Sequence, residues 1–120
     1  MERPLNNRFD ADALAKMVRT KRGAQSLRNV EVETGVPKST LSRIEKGQLV
    51  DYHNLCKVCD WLGLHVGHFF LIDDSASDDS ITTQLRAAQD MSVETANAFE
   101  ALFRAAYTEI LAQIAEDERA

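Results

Sequence analysis

Apolar residues recur along this chain at helical spacing, with polar runs and glycines between them. Leu14, Met17 and Val18 stand at i, i+3 and i+4. That spacing predicts a helix over 11–22, capped by Asp10 and closed by Gly23. Ser26 is placed to cap a short second helix over 27–34, with Gly35 just past its end, where a left-handed residue belongs. Val36 and Pro37 turn the chain, with Pro37 near the first helical position of a third helix that reaches Lys46 and stops at Gly47. Leu55, Val58, Cys59 and Leu62 predict a fourth helix over 52–62. A fifth, over 66–71, carries Phe69 and Phe70.

Beyond this the pattern changes. Residues 73–80 read Asp-Asp-Ser-Ala-Ser-Asp-Asp-Ser, without a bulky apolar side chain, and predict a solvated linker. A short helix is expected over 81–89. A long one over 93–116 shows the strongest periodicity in the chain. Phe99, Leu102, Phe103 and Ala106 begin its stripe, and Tyr107, Ile110, Leu111 and Ile114 continue it. Residues 1–9 are polar and predict a flexible arm. The expected organisation is therefore an arm at 1–9, a domain at 10–72, a linker at 73–80 and a C-terminal helical segment at 81–120, all-α throughout.

Composition narrows the class. The chain has 120 residues, 44% hydrophobic and 28% charged, which is globular and small. No run of eighteen apolar residues suggests a membrane span, and nothing near the N-terminus reads as a secretory signal. Two cysteines do not make a disulfide framework, so a cytoplasmic protein is expected. No phosphate-binding glycine loop or nucleophile–base set is visible, which argues against an enzyme.

The net charge of −5 conceals a split. Residues 1–50 carry ten Lys/Arg and six Asp/Glu, and residues 51–120 carry four and thirteen. A basic first half is what a polyanion-binding module needs. The third helix adds detail, because Lys38, Ser39, Ser42, Arg43 and Lys46 share one face without an acid. Arg43 can donate two hydrogen bonds to guanine O6 and N7. Ser39 and Ser42 are short enough to allow close approach to base edges. Lys38 and Lys46, nearer the ends, suit phosphates.

These residues carry a resemblance. The segment 26–35, the block Ser-Thr-Leu-Ser-Arg-Ile-Glu-Lys-Gly at 39–47 and Trp61-Leu-Gly63 resemble the Cro/phage-repressor (xenobiotic-response-element) helix-turn-helix family over about residues 10–72. The resemblance implies a five-helix DNA-binding domain whose third helix reads the major groove. It places Gln25, Ser26 and Leu27 at a phosphate-facing helix start, and Lys38, Ser39, Thr40, Ser42 and Arg43 on the reading helix. Glu45 matches a family glutamate with a structural role. The chain departs from the family at Glu31, where alanine is usual. A glutamate there must tilt the helix crossing or reach outward, or pair with Arg43, Lys38 or Arg28. It departs again at Pro37, which replaces a Ser/Thr cap.

His53, Cys56 and Cys59 lie three residues apart and admit a metal-ligand or redox reading. The competing reading packs Cys59 in the apolar stripe of the fourth helix. No cofactor or metal is expected.

A helix of about 24 residues is ~36 Å long, and its apolar stripe is too large to leave bare. The cover is the chain's own first domain, the 81–89 helix or a second chain. A homodimer is the economical expectation, since helix-turn-helix readers favour palindromic half-sites. The leading expectation is a dimeric, sequence-specific regulator, a repressor on double-stranded DNA. Two alternatives stay open. One is an antitoxin-like autoregulator that binds a partner through residues 81–116. The other is a metal- or redox-responsive regulator using Cys56 and Cys59.

Overall fold

The computed structural model describes residues 8–71, 87 and 93–119. All regular structure among them is helical, with no strand, and a single isolated antiparallel bridge joins Phe9 to Phe70. The all-α expectation stands on that. No helix among the described residues is long and apolar enough to cross a membrane. The chain divides into two units, Ala11–Phe69 and the remainder.

The first unit holds α1 (Ala11–Arg22), α2 (Leu27–Thr34), α3 (Lys38–Glu45), α4 (Tyr52–Leu62) and a 3₁₀ turn, Val66–Phe69. The fifth helix expected over 66–71 is thus shorter and tighter. Each helix contributes the apolar residues its spacing puts on one face. Leu14, Ala15 and Val18 come from α1, Val30 from α2, Leu41 and Ile44 from α3, and Leu55, Val58 and Cys59 from α4, all buried. α3 packs on both α1 and α2, so it is held from two sides.

Local signals set the helix ends. The Ser26 hydroxyl accepts the Asn29 N–H at 3.1 Å, and an Asp51 carboxylate oxygen accepts the Asn54 N–H at 3.1 Å. Gly35 lies at φ +77°, and its N–H bonds the Glu31 carbonyl to close α2. Pro37 is not the first helical residue of α3. It occupies the cap itself, at φ −55° and ψ 142°, and offers no side-chain bond.

The second unit contains the chain around Phe9 and Phe70 together with α5 (Val93–Asn97) and α6 (Glu100–Arg119). Phe9 meets Phe70 edge-on at 5.4 Å between ring centroids, and Tyr107 edge-on at 5.1 Å. Phe70 stacks on Phe103 at 5.4 Å. The Leu71 N–H donates to the Arg8 carbonyl, extending the bridge. Phe9, the last residue of the expected arm, is buried, and residues 1–7 lie outside the described set. So do the linker at 73–80 and all but one residue of the helix expected at 81–89. The single helix expected over 93–116 is interrupted. Ala98 and Phe99 donate to carbonyls three residues back, a tight turn, before Phe103 bonds back to the Phe99 carbonyl as α6 begins.

Candidate nucleic-acid interface

Short turns join α2 to its neighbours, so its start and the outward face of α3 are set by how three helix ends meet. Arg22, the last residue of α1, makes a two-pronged ion pair with Glu45, the last residue of α3. Its Nε lies 2.6 Å from Glu45 Oε2 and its Nη2 lies 2.9 Å from Oε1. The same guanidinium donates through Nη1 to the Gln25 carbonyl at 2.9 Å. Arg19 donates to the Glu45 carbonyl at the same corner. One cation thus fixes the end of α1, the approach to α2 and the end of α3, in the planar geometry that favours arginine.

Glu31 settles the start of α3. Its Oε2 accepts the Lys38 backbone N–H at 2.8 Å. Of the partners open to it, it takes none of the cationic side chains but the first helical N–H, one of the donors a helix start leaves unpaired. The cap that Pro37 cannot make comes from the preceding helix. Arg43 is held elsewhere, with its Nε donating to Gln48 Oε1 at 3.3 Å.

On the surface so framed, Lys38, Ser39, Arg43 and Lys46 are exposed, and Thr40 and Ser42 are half-buried. Gln25 and Ser26 are exposed and Leu27 is half-buried. The Ser26 oxygen is committed to its own helix cap. The unit Ala11–Phe69 carries nine Lys/Arg against six Asp/Glu. Four of those acids accept hydrogen bonds: Glu31, Glu45, Asp51 and Glu33, the last from Trp61 Nε1 at 2.8 Å. Glu31 and Glu45 are therefore turned to internal work while the cations of α3 face outward, and the exposed Asp12 lies beside Gly47 just past the end of α3. Spacing alone identified that face. Glu31 stood out in the sequence with Lys38 among its possible partners, and the bond it makes is to the Lys38 main-chain N–H rather than to the ammonium. Arg22 and Gln48 carried no such signal, because no local pattern marks a partner 23 residues away or a side chain folded back past a helix-closing glycine.

The cysteines sit on α4, with Cys59 buried and Cys56 half-buried, and neither is in a disulfide. Burial pushes the Cys59 thiol well above its ordinary value, with Cys56 and Asp60 adding to the rise. A ligand or redox thiol needs the opposite shift. Among the described residues no three His, Cys, Asp or Glu side chains are grouped to hold a metal ion.

Of the C-terminal stripe, Phe103, Tyr107 and Ile110 are buried within this one chain. Phe99, Leu102, Ala106, Leu111 and Ile114 are half-buried. Two of the three central residues of that stripe have ring partners in their own unit, so little of their apolar area is available to a second chain.

No family model, curated protein or solved structure matches the chain.

Proposed function

We propose that the chain is a sequence-specific regulator of transcription that binds double-stranded DNA through α3, in the manner of the repressor-like helix-turn-helix proteins it resembles. One observation carries the reading. The outward face of α3 presents Lys38, Ser39, Arg43 and Lys46 without an acid, because Glu45 is taken by Arg22 and Glu31 by the Lys38 N–H. α3 is ~12 Å long and bears a central arginine, short hydroxyl side chains and a lysine near each end, which suits a major groove. Arg43 reads guanine, and Lys38 and Lys46 meet phosphates. Gln25, Ser26 and Leu27 face the DNA backbone at the start of α2: Gln25 through its exposed side chain, since its N–H is bonded to the Arg22 carbonyl, Ser26 through its O–H, whose oxygen accepts the Asn29 N–H, and Ser26 and Leu27 through their main-chain N–H groups.

Two copies on a palindrome, acting as a repressor in the cytoplasm, complete the proposal. The half-buried flank of α6 with Phe99, Leu102 and Ala106 is the surface through which they would pair, since Phe103 and Tyr107 serve their own unit.

Selection of bound duplexes from random DNA by the purified chain tests the reading. A recovered palindrome with guanine at a fixed place in each half-site supports it. Salt-sensitive binding without any sequence preference defeats it.

A further inference from the structure

The end of α3 contains a pairing that the reading above does not use. The Gly47 N–H bonds the Ile44 carbonyl and the Gln48 N–H bonds the Arg43 carbonyl, both at 3.0 Å. That double closure requires a left-handed residue, and Gly47 lies at φ +79°. The positive φ disfavours any side chain there, and a Cβ would also lie 2.8 Å from Asp12 Oδ1, so the Asp12 side chain would have to shift. In this geometry the residue after the glycine is folded back over the residue that starts the last helical turn. Helices usually place an apolar pair there. This chain places Gln48 over Arg43, and Gln48 Oε1 accepts from Arg43 Nε.

A guanidinium has two edges with which to grip a guanine. One uses Nε and a terminal amino group, and the other uses the two terminal amino groups. We infer that Gln48 is a positioning residue for base recognition. By occupying Nε it removes the side-on edge and presents Arg43 end-on, through Nη1 and Nη2, to O6 and N7 of a guanine. The inference rests on the DNA-reading proposal and deepens it. Gln48 is exposed and the backbone closure uses its N–H rather than its side chain. Its replacement therefore leaves the fold intact.

The test uses the full chain and the duplex recovered by selection, with all four base pairs placed in turn at the position read by Arg43. Gln48→Ala should reduce the preference for guanine by about three- to tenfold, the scale of one hydrogen bond. Binding to unrelated DNA and its salt slope should stay unchanged. Gln48→Glu keeps the acceptor, so it should retain the guanine preference while its charge weakens binding to every sequence alike. Arg43→Ala serves as reference and should abolish the preference. If Arg43→Ala does so but Gln48→Ala leaves the preference unchanged, or weakens all sequences equally, the positioning role is wrong and the DNA reading stands. If Arg43→Ala leaves the preference untouched, or selection returns no preferred sequence, the reading itself fails and the inference falls with it.

Discussion

Arg22 and Glu45, 23 residues apart, face each other through two parallel hydrogen bonds at 2.6 and 2.9 Å. The pair closes α1 against α3, and the same arginine holds the Gln25 carbonyl. Lysine keeps the charge but loses the fork. Arg22→Lys should therefore lower the thermal midpoint about as much as Arg22→Ala, as followed by circular dichroism. Recovery of most of the stability by lysine would mean that charge alone matters at this corner.

The Glu31 carboxylate stands in for a cap that Pro37 cannot supply. Glu31→Ala should cost about 0.5–2 kcal/mol in urea unfolding, the usual range for a lost helix cap. Adding Pro37→Ser to that variant should restore part of the loss by placing a hydroxyl at the cap. If Glu31→Ala is neutral, the bond to the Lys38 N–H contributes nothing net.

Arg43 and Lys46 share a face but should behave differently. Arg43→Ala should cost about 1–3 kcal/mol on the selected duplex and relax preference at one base pair per half-site. Lys46→Ala should weaken all sequences alike and reduce the salt slope by about 1. Titrations at several salt concentrations separate the two. Identical, sequence-independent losses would remove Arg43 from base reading.

Phe103 is fully buried and stacked on Phe70. Phe103→Ala should destabilise the C-terminal unit by about 3–5 kcal/mol, as large-to-small core changes do. Hydrogen exchange should show faster opening in α6 at every protein concentration. A variant that stays equally stable and only changes its oligomeric state by light scattering would place Phe103 in a seam between chains instead.

Cys59 should resist alkylation in the native state while the half-buried Cys56 reacts first. The folded thiol titrates above its unfolded value of about 8.5. Its contribution to stability is therefore complete below that pH and declines as pH rises above it, because the unfolded chain ionises first. Cys59→Ala should flatten the alkaline limb of the stability profile. An unchanged limb would show that Cys59 does not set it.

The helices of the first unit were legible because their signals are local. Leu14 and Val18 share a face, Ser26 precedes α2 as a cap, and Gly35 follows it. The exposed positions of α3 followed from the same periodicity. What binds the ends together was not legible. Glu45 finds Arg22 only once α1 and α3 are packed, and Glu31 reaches the Lys38 N–H only across a completed turn. The apolar stripe on α6 was legible as a stripe, but its cover was not. Phe9 and Phe70 come from distant stretches whose pairing depends on backbone bonds no spacing reveals. The interruption at Ala98 and Phe99 was hidden because it falls where the apolar stripe begins, so the repeat from Phe99 onward carries no sign of it.

The borrowed cap on α3 also bears on the order in which the chain folds. α3 has eight residues, well short of the ~12–15 that an isolated helix needs to persist in water. Its entry is a proline with no hydroxyl or carboxylate to nucleate the first turn. The missing acceptor belongs to Glu31, which reaches the Lys38 N–H only when α2 and the turn at Gly35 have formed. α3 is thus a poor starting point for folding and a dependent of α2. The cap that completes the first turn of α3, and with it the full ordering of the surface that carries Arg43, is available only where α2 and the turn at Gly35 are in place.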